Sequence, residues 1–181
     1  MRRILNIAVV LMAVVSTAAC APKHGKKTSS IPYVDYSSEY VAEGETIDVP
    51  FSSQGGVKYV TVKVNGLTTD MIFDTGCSLT LLSMHEAQQL ASRGFLTKED
   101  YVGKSKSVIA DGSVVEDAIY KLSTLEITGG AEPIICRDVT VQVSSNAEAP
   151  VLLGNGVLDR VASYTIDNEE KVIRFKLKKK Q

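Results

Sequence analysis

The hairpin encoded by residues 59–73 constrains the fold more than any other part of the sequence. Valines occupy three alternate positions in residues 60–64 with polar residues between them, and this period of two indicates a half-buried β-strand. Asn65-Gly66 follows, and this dipeptide favours a two-residue type I′ turn because both central residues need positive φ angles. The apolar run at 67–73 is then predicted to return along the first strand.

Short strands separated by turn residues continue through the rest of the chain. Asp111-Gly112 predicts a second tight turn, between strands at 108–110 and 113–115. Strands at this spacing are typical of an all-β barrel or sandwich. We predict further strands at 79–82, 120–127, 138–143, 151–153, 164–166 and 171–177, with a turn at Asp167-Asn168 between the last two.

One helix is clearly indicated after the strand at 79–82. Ser83 is a suitable N-cap, Glu86 completes a capping box three residues later, and Gly94 is a natural end. His85 lies in the first turn of this helix and is expected on its solvent-facing side rather than in a catalytic site. A shorter helical segment is expected at 157–161.

The N-terminus has the features of an export signal. Two arginines follow Met1, residues 4–15 are almost wholly apolar, and small residues lead to Cys20. This order predicts a secretory signal peptide at 1–19, with an apolar segment too short for a permanent transmembrane helix.

Cys20 resembles the last residue of a bacterial lipobox. In such a motif the cysteine thiol is diacylated, and the cysteine becomes the first residue of the mature protein. Thr17 stands where lipoboxes usually carry Leu, Val or Ile. The alternative is ordinary signal cleavage after Ala19 or Ala21. We expect lipidation, which implies an exported protein anchored in the bacterial cell envelope, facing the periplasm or the surface.

Composition separates a tether from a folded domain and excludes several functions. Residues 20–40 are mostly polar and lack periodicity, which predicts a flexible tether, and 41–181 is predicted to fold. The formal net charge of −1 gives no basic field for nucleic acid. Two histidines and no clustered cysteines do not supply the ligands of a dedicated zinc site, and we predict no metal and no cofactor.

The most informative chemistry is at Asp74-Thr75-Gly76, at the end of the apolar run. A carboxylate at the end of a buried strand is costly unless the protein uses it. Threonine adds a hydroxyl for hydrogen bonds, and glycine lets another backbone approach closely. The tripeptide alone is a weak signal, but a downstream apolar-apolar-glycine element at 152–154 strengthens it.

With these elements the sequence resembles the retropepsin-like aspartic proteases, the family of retroviral proteases and their bacterial relatives. The resemblance covers residues 47–177, and its pieces occur in family order. It implies a closed β-barrel or sandwich with one or two short helices and a pepsin-type half-site. It also implies an aspartic endopeptidase that needs neither a nucleophilic serine nor a metal.

The resemblance assigns roles to particular residues. It implies that Asp74 is the catalytic aspartate, that Thr75 and Gly76 belong to the active-site loop, and that Thr75 helps to lock two such loops together. It places a substrate-covering flap at Ala110, Asp111 and Gly112, for which a plain hairpin is the alternative. The 152–154 element would lie behind the active site, with a short helix at 155–161 after it.

The chain has a single Asp-Thr-Gly, whereas the family mechanism needs two carboxylates. We therefore expect a homodimer with Asp74 of each chain at the two-fold axis and an extended peptide or protein segment as substrate. The strand at 171–177 is a candidate for pairing across the dimer. One alternative is a monomeric, catalytically silent peptide-binding lipoprotein domain; another is a protease that cleaves only itself or one envelope partner.

Two cysteines lie within the predicted domain. Cys77 follows the active-site glycine, where bacterial relatives often carry Ala or Ser, so a thiol is expected beside the site. The sequence leaves open whether Cys77 and Cys136 form a disulfide, which an oxidising envelope permits, or are two buried thiols.

Overall fold

Eleven β-strands and two short helices make up the part of the chain that the structure, a computed structural model, describes: residues 45–108 and 112–178. In chain order they are β1 (Thr46–Pro50), β2 (Ser52–Gln54), β3 (Val57–Val64), β4 (Leu67–Phe73), β5 (Thr80–Leu82), α1 (Met84–Ser92), β6 (Tyr101–Val108), β7 (Val114–Ile127), β8 (Ile134–Val143), β9 (Leu152–Leu153), α2 (Asn155–Leu158), β10 (Ser163–Asp167) and β11 (Val172–Lys176).

The larger of two sheets closes on itself. Its strand order is β2-β3-β4-β9-β5-β8-β7-β6, and β3 also pairs with β7, for example Val62 with Ile127. The six strands from β3 to β7 in this order therefore form a closed barrel, with β2 and β6 extending beyond it. The expected all-β barrel with one or two short helices is confirmed.

The first predicted hairpin forms as expected, and the alternating valines of its first strand fill part of the barrel interior. Asn65 and Gly66 have φ angles of 44° and 95°, so both central turn residues have the positive φ that a type I′ turn requires. Val60, Val62 and Val64 are almost fully buried in the core. Their polar neighbours on β3 point to the other side of the sheet because side chains alternate along a strand.

The predicted N-cap of α1 at Ser83 is also confirmed. The Ser83 hydroxyl accepts hydrogen bonds from the backbone N–H groups of His85 and Glu86 and donates one to the Glu86 carboxylate. Gly94 follows the helix with a φ of 71°, the left-handed conformation common after helix ends. His85 is exposed and contacts Gln89 one turn later. Neither α1 nor α2 has the length and apolar character needed to cross a bilayer.

The smaller sheet has the order β1-β11-β10. Ile173 and Phe175 of β11 are fully buried against the barrel, whereas Arg174 points outward and forms ion pairs with Asp48, Asp167 and Glu170. Both edges of β11 are occupied by strands of its own chain. The prediction that this strand pairs with a partner chain is therefore wrong, because it has no free edge.

Two turn predictions are wrong in register. Val108 pairs with Val114, whereas a two-residue turn at Asp111-Gly112 would pair it with Val115, so the described register is shifted by one residue. The connection after β10 comprises residues 168–171, one residue later than predicted, because Asp167 is still paired, with Val172.

Candidate active site

The candidate active-site loop begins where β4 ends. β4 runs parallel to β9, with Ile72 beside Leu152 and Phe73 beside Leu153. The backbone N–H of Asp74 continues this ladder and donates to the Leu153 carbonyl at 3.1 Å. The 152–154 element therefore lies directly behind Asp74, as the family resemblance implied.

A short hydrogen-bonded turn orients the Asp74 carboxylate. Its Oδ1 accepts a hydrogen bond from the backbone N–H of Gly76 at 2.8 Å, and the side chain is half-buried. A Cβ on Gly76 would lie 3.1 Å from the same oxygen, so glycine allows this close approach. Thr75 and Gly76 are exposed at the tip of the turn. The carboxylate is therefore fixed in direction yet open to solvent.

Asn155, the first residue of α2, holds the far side of this loop. Its side-chain amide donates to the Thr75 carbonyl at 2.9 Å, and its backbone N–H donates to the Cys77 carbonyl at 2.8 Å. The next N–H, of Gly156, donates to the Ser78 carbonyl at 3.0 Å. The start of α2 thus satisfies three carbonyl acceptors of the loop.

Gly154 lies so close to the loop that a larger residue has no room. A Cβ at this position would be 2.3 Å from the Leu79 carbonyl oxygen and 2.7 Å from that of Cys77. The Gly154 N–H faces the hydroxyl of Thr80, which is fully buried, at 3.3 Å. The backbone at Gly154 therefore packs directly on the backbone of the active-site loop behind Asp74.

Cys77 is a free thiol in the structure and donates a hydrogen bond to the Leu79 carbonyl at 2.8 Å. Burial, and then the nearby charge of Asp74, raise the pKa of the Cys77 thiol. The raised pKa keeps the thiol protonated at neutral pH. Cys136 is buried in the barrel core, and the disulfide between the two cysteines is not formed.

Of the three predicted flap residues, Ala110 and Asp111 are outside the described residues. Gly112 is exposed, with a φ of 84°. The hairpin itself is an extension of the barrel sheet, because β6 is paired only through β7. Cys20 also lies outside the described residues.

One face of the sheet carries a partly exposed row that leads away from the Asp74 strand. Successive strand pairs place five residues side by side, and paired residues share a face. Three of them, on β4, β9 and β5, are apolar and half-exposed, and the last two, on β8 and β7, are buried. We call this set the cleft row: Ile72, Leu152, Leu81, Gln142 and Ile119.

The cleft row differs from the opposite face of the same strands. There Met71, Leu153, Leu82 and Val143 are buried in the barrel core. Asp74 follows Ile72 by two residues, so strand alternation directs it to the side of the cleft row. A half-exposed apolar surface next to a solvent-accessible carboxylate is a suitable place for an extended peptide to bind.

A family model described as gag-polyprotein putative aspartyl protease matches residues 60–160, more than half of the chain. The chain belongs to the retropepsin-like aspartic protease family. Among solved structures, this retropepsin-like chain is similar to the crystal structure of a retropepsin-like aspartic protease from Rickettsia conorii. The TM-score is 0.51 with 18% sequence identity, covering 77% of this chain and 97% of that chain. No curated protein matches the chain.

The structure adds residues to the retropepsin-like site that sequence patterns did not single out. Asn155 was expected only as the start of a helix, and its contacts with Thr75 and Cys77 depend on the loop folding back across 80 residues of chain. Thr80 is likewise buried behind Gly154. The polar residue directly after the apolar-apolar-glycine element is the one signal in the sequence that pointed to Asn155.

Replacing Asn155 by alanine is expected to loosen this loop. The Thr75 carbonyl loses its amide donor, so we expect a loss of about 1 kcal/mol in the free energy of unfolding, measured in urea. Backbone amides of Gly76 and Cys77 should exchange hydrogen faster. Asn168→Ala, at an exposed turn position, is the matched control. It should leave the free energy of unfolding within about 0.5 kcal/mol of wild type and the exchange of these two amides unchanged. Unchanged exchange at Gly76 in Asn155→Ala would contradict this role.

Proposed function

We propose that the protein is an aspartic endopeptidase whose active site contains Asp74 from each of two identical chains. The observation that carries the proposal is the orientation of the Asp74 carboxylate, which the Gly76 N–H holds at the end of β4, facing solvent beside the cleft row. The chain's membership in the retropepsin-like family also supports peptide hydrolysis by a pair of aspartates.

Two such carboxylates perform the hydrolysis together. Like charges about 3 Å apart do not both ionise, so the pair shares one proton. The ionised Asp74 takes a proton from a water molecule as its oxygen adds to the peptide carbonyl carbon, and Asp74 of the partner subunit donates its proton to the carbonyl oxygen. When the resulting diol collapses, the C–N bond breaks, the amide nitrogen leaves with a proton from the first carboxyl, and the second recovers one from the diol.

A second chain is required because this sequence contains one Asp-Thr-Gly. A two-fold axis that brings the two Asp74 carboxylates together must pass beside the exposed turn of Thr75 and Gly76. In such a dimer each loop packs against its own copy, which gives Thr75 a partner for its hydroxyl. The dimer thus completes an active site of which each chain contributes one half.

The cleft row indicates an extended peptide as substrate. Its half-exposed apolar residues, Ile72, Leu152 and Leu81, lie across three adjacent strands next to Asp74. An extended peptide presents side chains alternately to such a surface, which gives apolar side chains near the scissile bond a place to bind. The β6–β7 hairpin is proposed to cover the bound peptide as a flap.

We also propose that the domain works at a membrane surface. The support is the order of basic, apolar and small residues before Cys20. Lipidation at this cysteine and a tether at 20–40 would confine the chains to two dimensions of an envelope membrane. Confinement raises the effective concentration of one chain for another and so favours the dimer.

Peptide cleavage by the full chain, purified in a mild detergent, tests the proposal. A mixture of peptides of diverse sequence is incubated from pH 3 to pH 7, and products are identified by mass spectrometry. We expect endopeptidase products in a mildly acidic window, with activity falling on both sides because the pair needs one proton. Activity per chain should rise with protein concentration as dimers form.

The rival function predicts a different result. A folded chain that remains monomeric in sedimentation at high concentration, binds peptides and cleaves none at any pH is a peptide-binding domain. Cleavage that does not depend on protein concentration below the dimer dissociation constant would contradict the shared site.

A further inference from the structure

A buried pair of polar side chains lies at the flap end of the barrel. The Gln142 amide on β8 donates a hydrogen bond to Oδ2 of Asp117 on β7 at 2.7 Å. Asp117 is 7% exposed and Gln142 8%. The aspartic dyad makes no use of this second carboxylate, and Ile119 next to it is buried yet separate from the main hydrophobic core.

The pair belongs to the face that carries the cleft row. Gln142 is itself a member, beside Leu81 on β5 and Ile119 on β7. Asp117 lies two residues before Ile119 and so shares its face, as the contact with Gln142 also shows. The face that carries the cleft row beside Asp74 therefore also carries a buried carboxylate at its far end.

The charge of Asp117 has little compensation in the chain. No ion pair found in residues 45–108 and 112–178 includes Asp117. Its register partner on β6 is Ser105, and the nearest basic residues of that strand, Lys104 and Lys106, belong to the opposite face. A buried carboxylate with a neutral amide partner is stabilised further by any cation that reaches it.

We infer that Asp117, held by Gln142, selects peptide substrates that carry a lysine or arginine side chain at one position near the scissile bond. The inference rests on the proposed endopeptidase function and names its substrate class. The side-chain stem of lysine or arginine would lie along Leu81, and its charged end would reach the Asp117 carboxylate.

The spacing of strands sets the position of this residue in the substrate. Gln142 is three strand steps from Ile72, or about 14 Å at the usual distance of about 4.8 Å between neighbours. An extended peptide advances about 3.3 Å per residue, and a lysine side chain adds about 6 Å of reach. The selected residue should therefore be two to four residues from the scissile bond. A Cβ on Gly103, the β6 partner of Ile119, meets nothing within 4 Å, so there is open space beside this end of the row.

A binding experiment on a cleavage-inactive chain tests the inference. The probes are fluorescein-labelled octapeptides of mixed sequence in which lysine, or its uncharged analogue norleucine, is fixed at one position at a time. Binding to the full Asp74→Asn chain is followed by fluorescence anisotropy. We expect one position at which lysine binds about 10- to 100-fold more tightly than norleucine, as a charge-assisted hydrogen bond implies.

Replacing Asp117 in the same background should remove this preference. Asp117→Asn and Asp117→Ser are both measured, after circular dichroism shows which of them fold, and the lysine-to-norleucine ratio should fall to about one. Asp138→Asn is the matched control, because Asp138 is an exposed carboxylate on β8 at a φ of 52° that asparagine tolerates. The control should retain the preference.

The outcomes separate this inference from the proposed function. Lysine preference in binding, with no cleavage by the wild-type chain, would overturn the enzymatic function and leave the site at Asp117 standing. Cleavage without a preference for a cationic residue, or a preference that survives Asp117→Asn and Asp117→Ser, would overturn the inference alone. A chain that binds none of the peptides would contradict both.

Discussion

Asp74→Asn is expected to lower the rate of peptide cleavage about a thousandfold or more. Asparagine has nearly the same shape and can still accept the hydrogen bond from the Gly76 N–H, so the loop should keep its conformation. Its neutral amide is far too weak a base to take a proton from water, and it has no carboxyl proton to donate to the peptide carbonyl oxygen. Loss of a general acid-base group typically lowers rates by about 10²- to 10⁴-fold. The measurement is kcat at the optimal pH for a peptide found in the cleavage mixture.

Asp70→Asn is the control for this prediction. Asp70 is an exposed carboxylate on the same strand, where its Oδ1 accepts a hydrogen bond from the Thr61 hydroxyl. Activity in this variant should stay within about twofold of wild type. An equal loss of activity in both variants would mean that activity depends on negative charge near β4 and not on a catalytic carboxylate at Asp74.

Mixing the two kinds of chain tests the shared site directly. An excess of Asp74→Asn chains should capture wild-type chains in mixed dimers and suppress their activity, because a mixed dimer has one carboxyl. Activity that scales with the amount of wild-type chain alone would show that one chain contains a complete site.

Gly154→Ala is expected to have the largest effect on stability. The added methyl group would overlap the carbonyl oxygens of Leu79 and Cys77, at 2.3 Å and 2.7 Å, and both belong to backbone that cannot rotate away. The loop and β9 must separate, which breaks the N–H contact of Gly154 with Thr80 and the contacts of Asn155. We expect a loss of about 3 kcal/mol or more in the free energy of unfolding, or failure to fold.

Gly156→Ala is the matched control two residues away. A Cβ there would lie 3.5 Å from a side-chain carbon of Leu79, an ordinary contact, and the residue is inside α2. Alanine is favoured over glycine within a helix by about 0.5–1 kcal/mol, so this variant should be as stable as wild type or slightly more so. Equal destabilisation by both substitutions would contradict the role of backbone contact at Gly154. Urea denaturation measures both.

Sequence patterns predicted those parts of the fold that depend on neighbouring residues. The Asn65-Gly66 turn and the Ser83 cap are decided within a few residues, because turn angles and capping hydrogen bonds are local. The alternating valines of β3 predicted its buried side correctly for the same reason.

Patterns failed where a distant strand decides the structure. The first half of β6 has no distinctive alternation and forms a strand only because β7 offers it a backbone partner. The register of the β6–β7 hairpin is set by seven paired positions along the ladder, which outweigh the local preference of Asp111-Gly112 for a two-residue turn. The exclusion of β11 from pairing with another chain also depends on β1, which is far away in the sequence.

The candidate site shows the same division. Asp74, Thr75 and Gly76 carry a short motif that sequence alone detects. Of the residues that hold the motif in place, Gly154 was indicated by the apolar-apolar-glycine element. Asn155 acts through backbone contacts and one side-chain amide, for which sequence offers little signal. Asp117 and Gln142 are brought together only by the register of β7 and β8.

The contacts behind Asp74 also determine when during folding the site can exist. Asn155 meets Thr75 across 80 residues, and Gly154 meets Thr80 across 74. Contacts of such high sequence separation form slowly, because the intervening chain must first be ordered. The hairpin of β3 and β4 can form early, but its terminal carboxylate has no fixed direction until β9 and α2 arrive. A chain still being synthesised, in which residues 152–158 are not yet free to fold, therefore contains the motif without the geometry of the site.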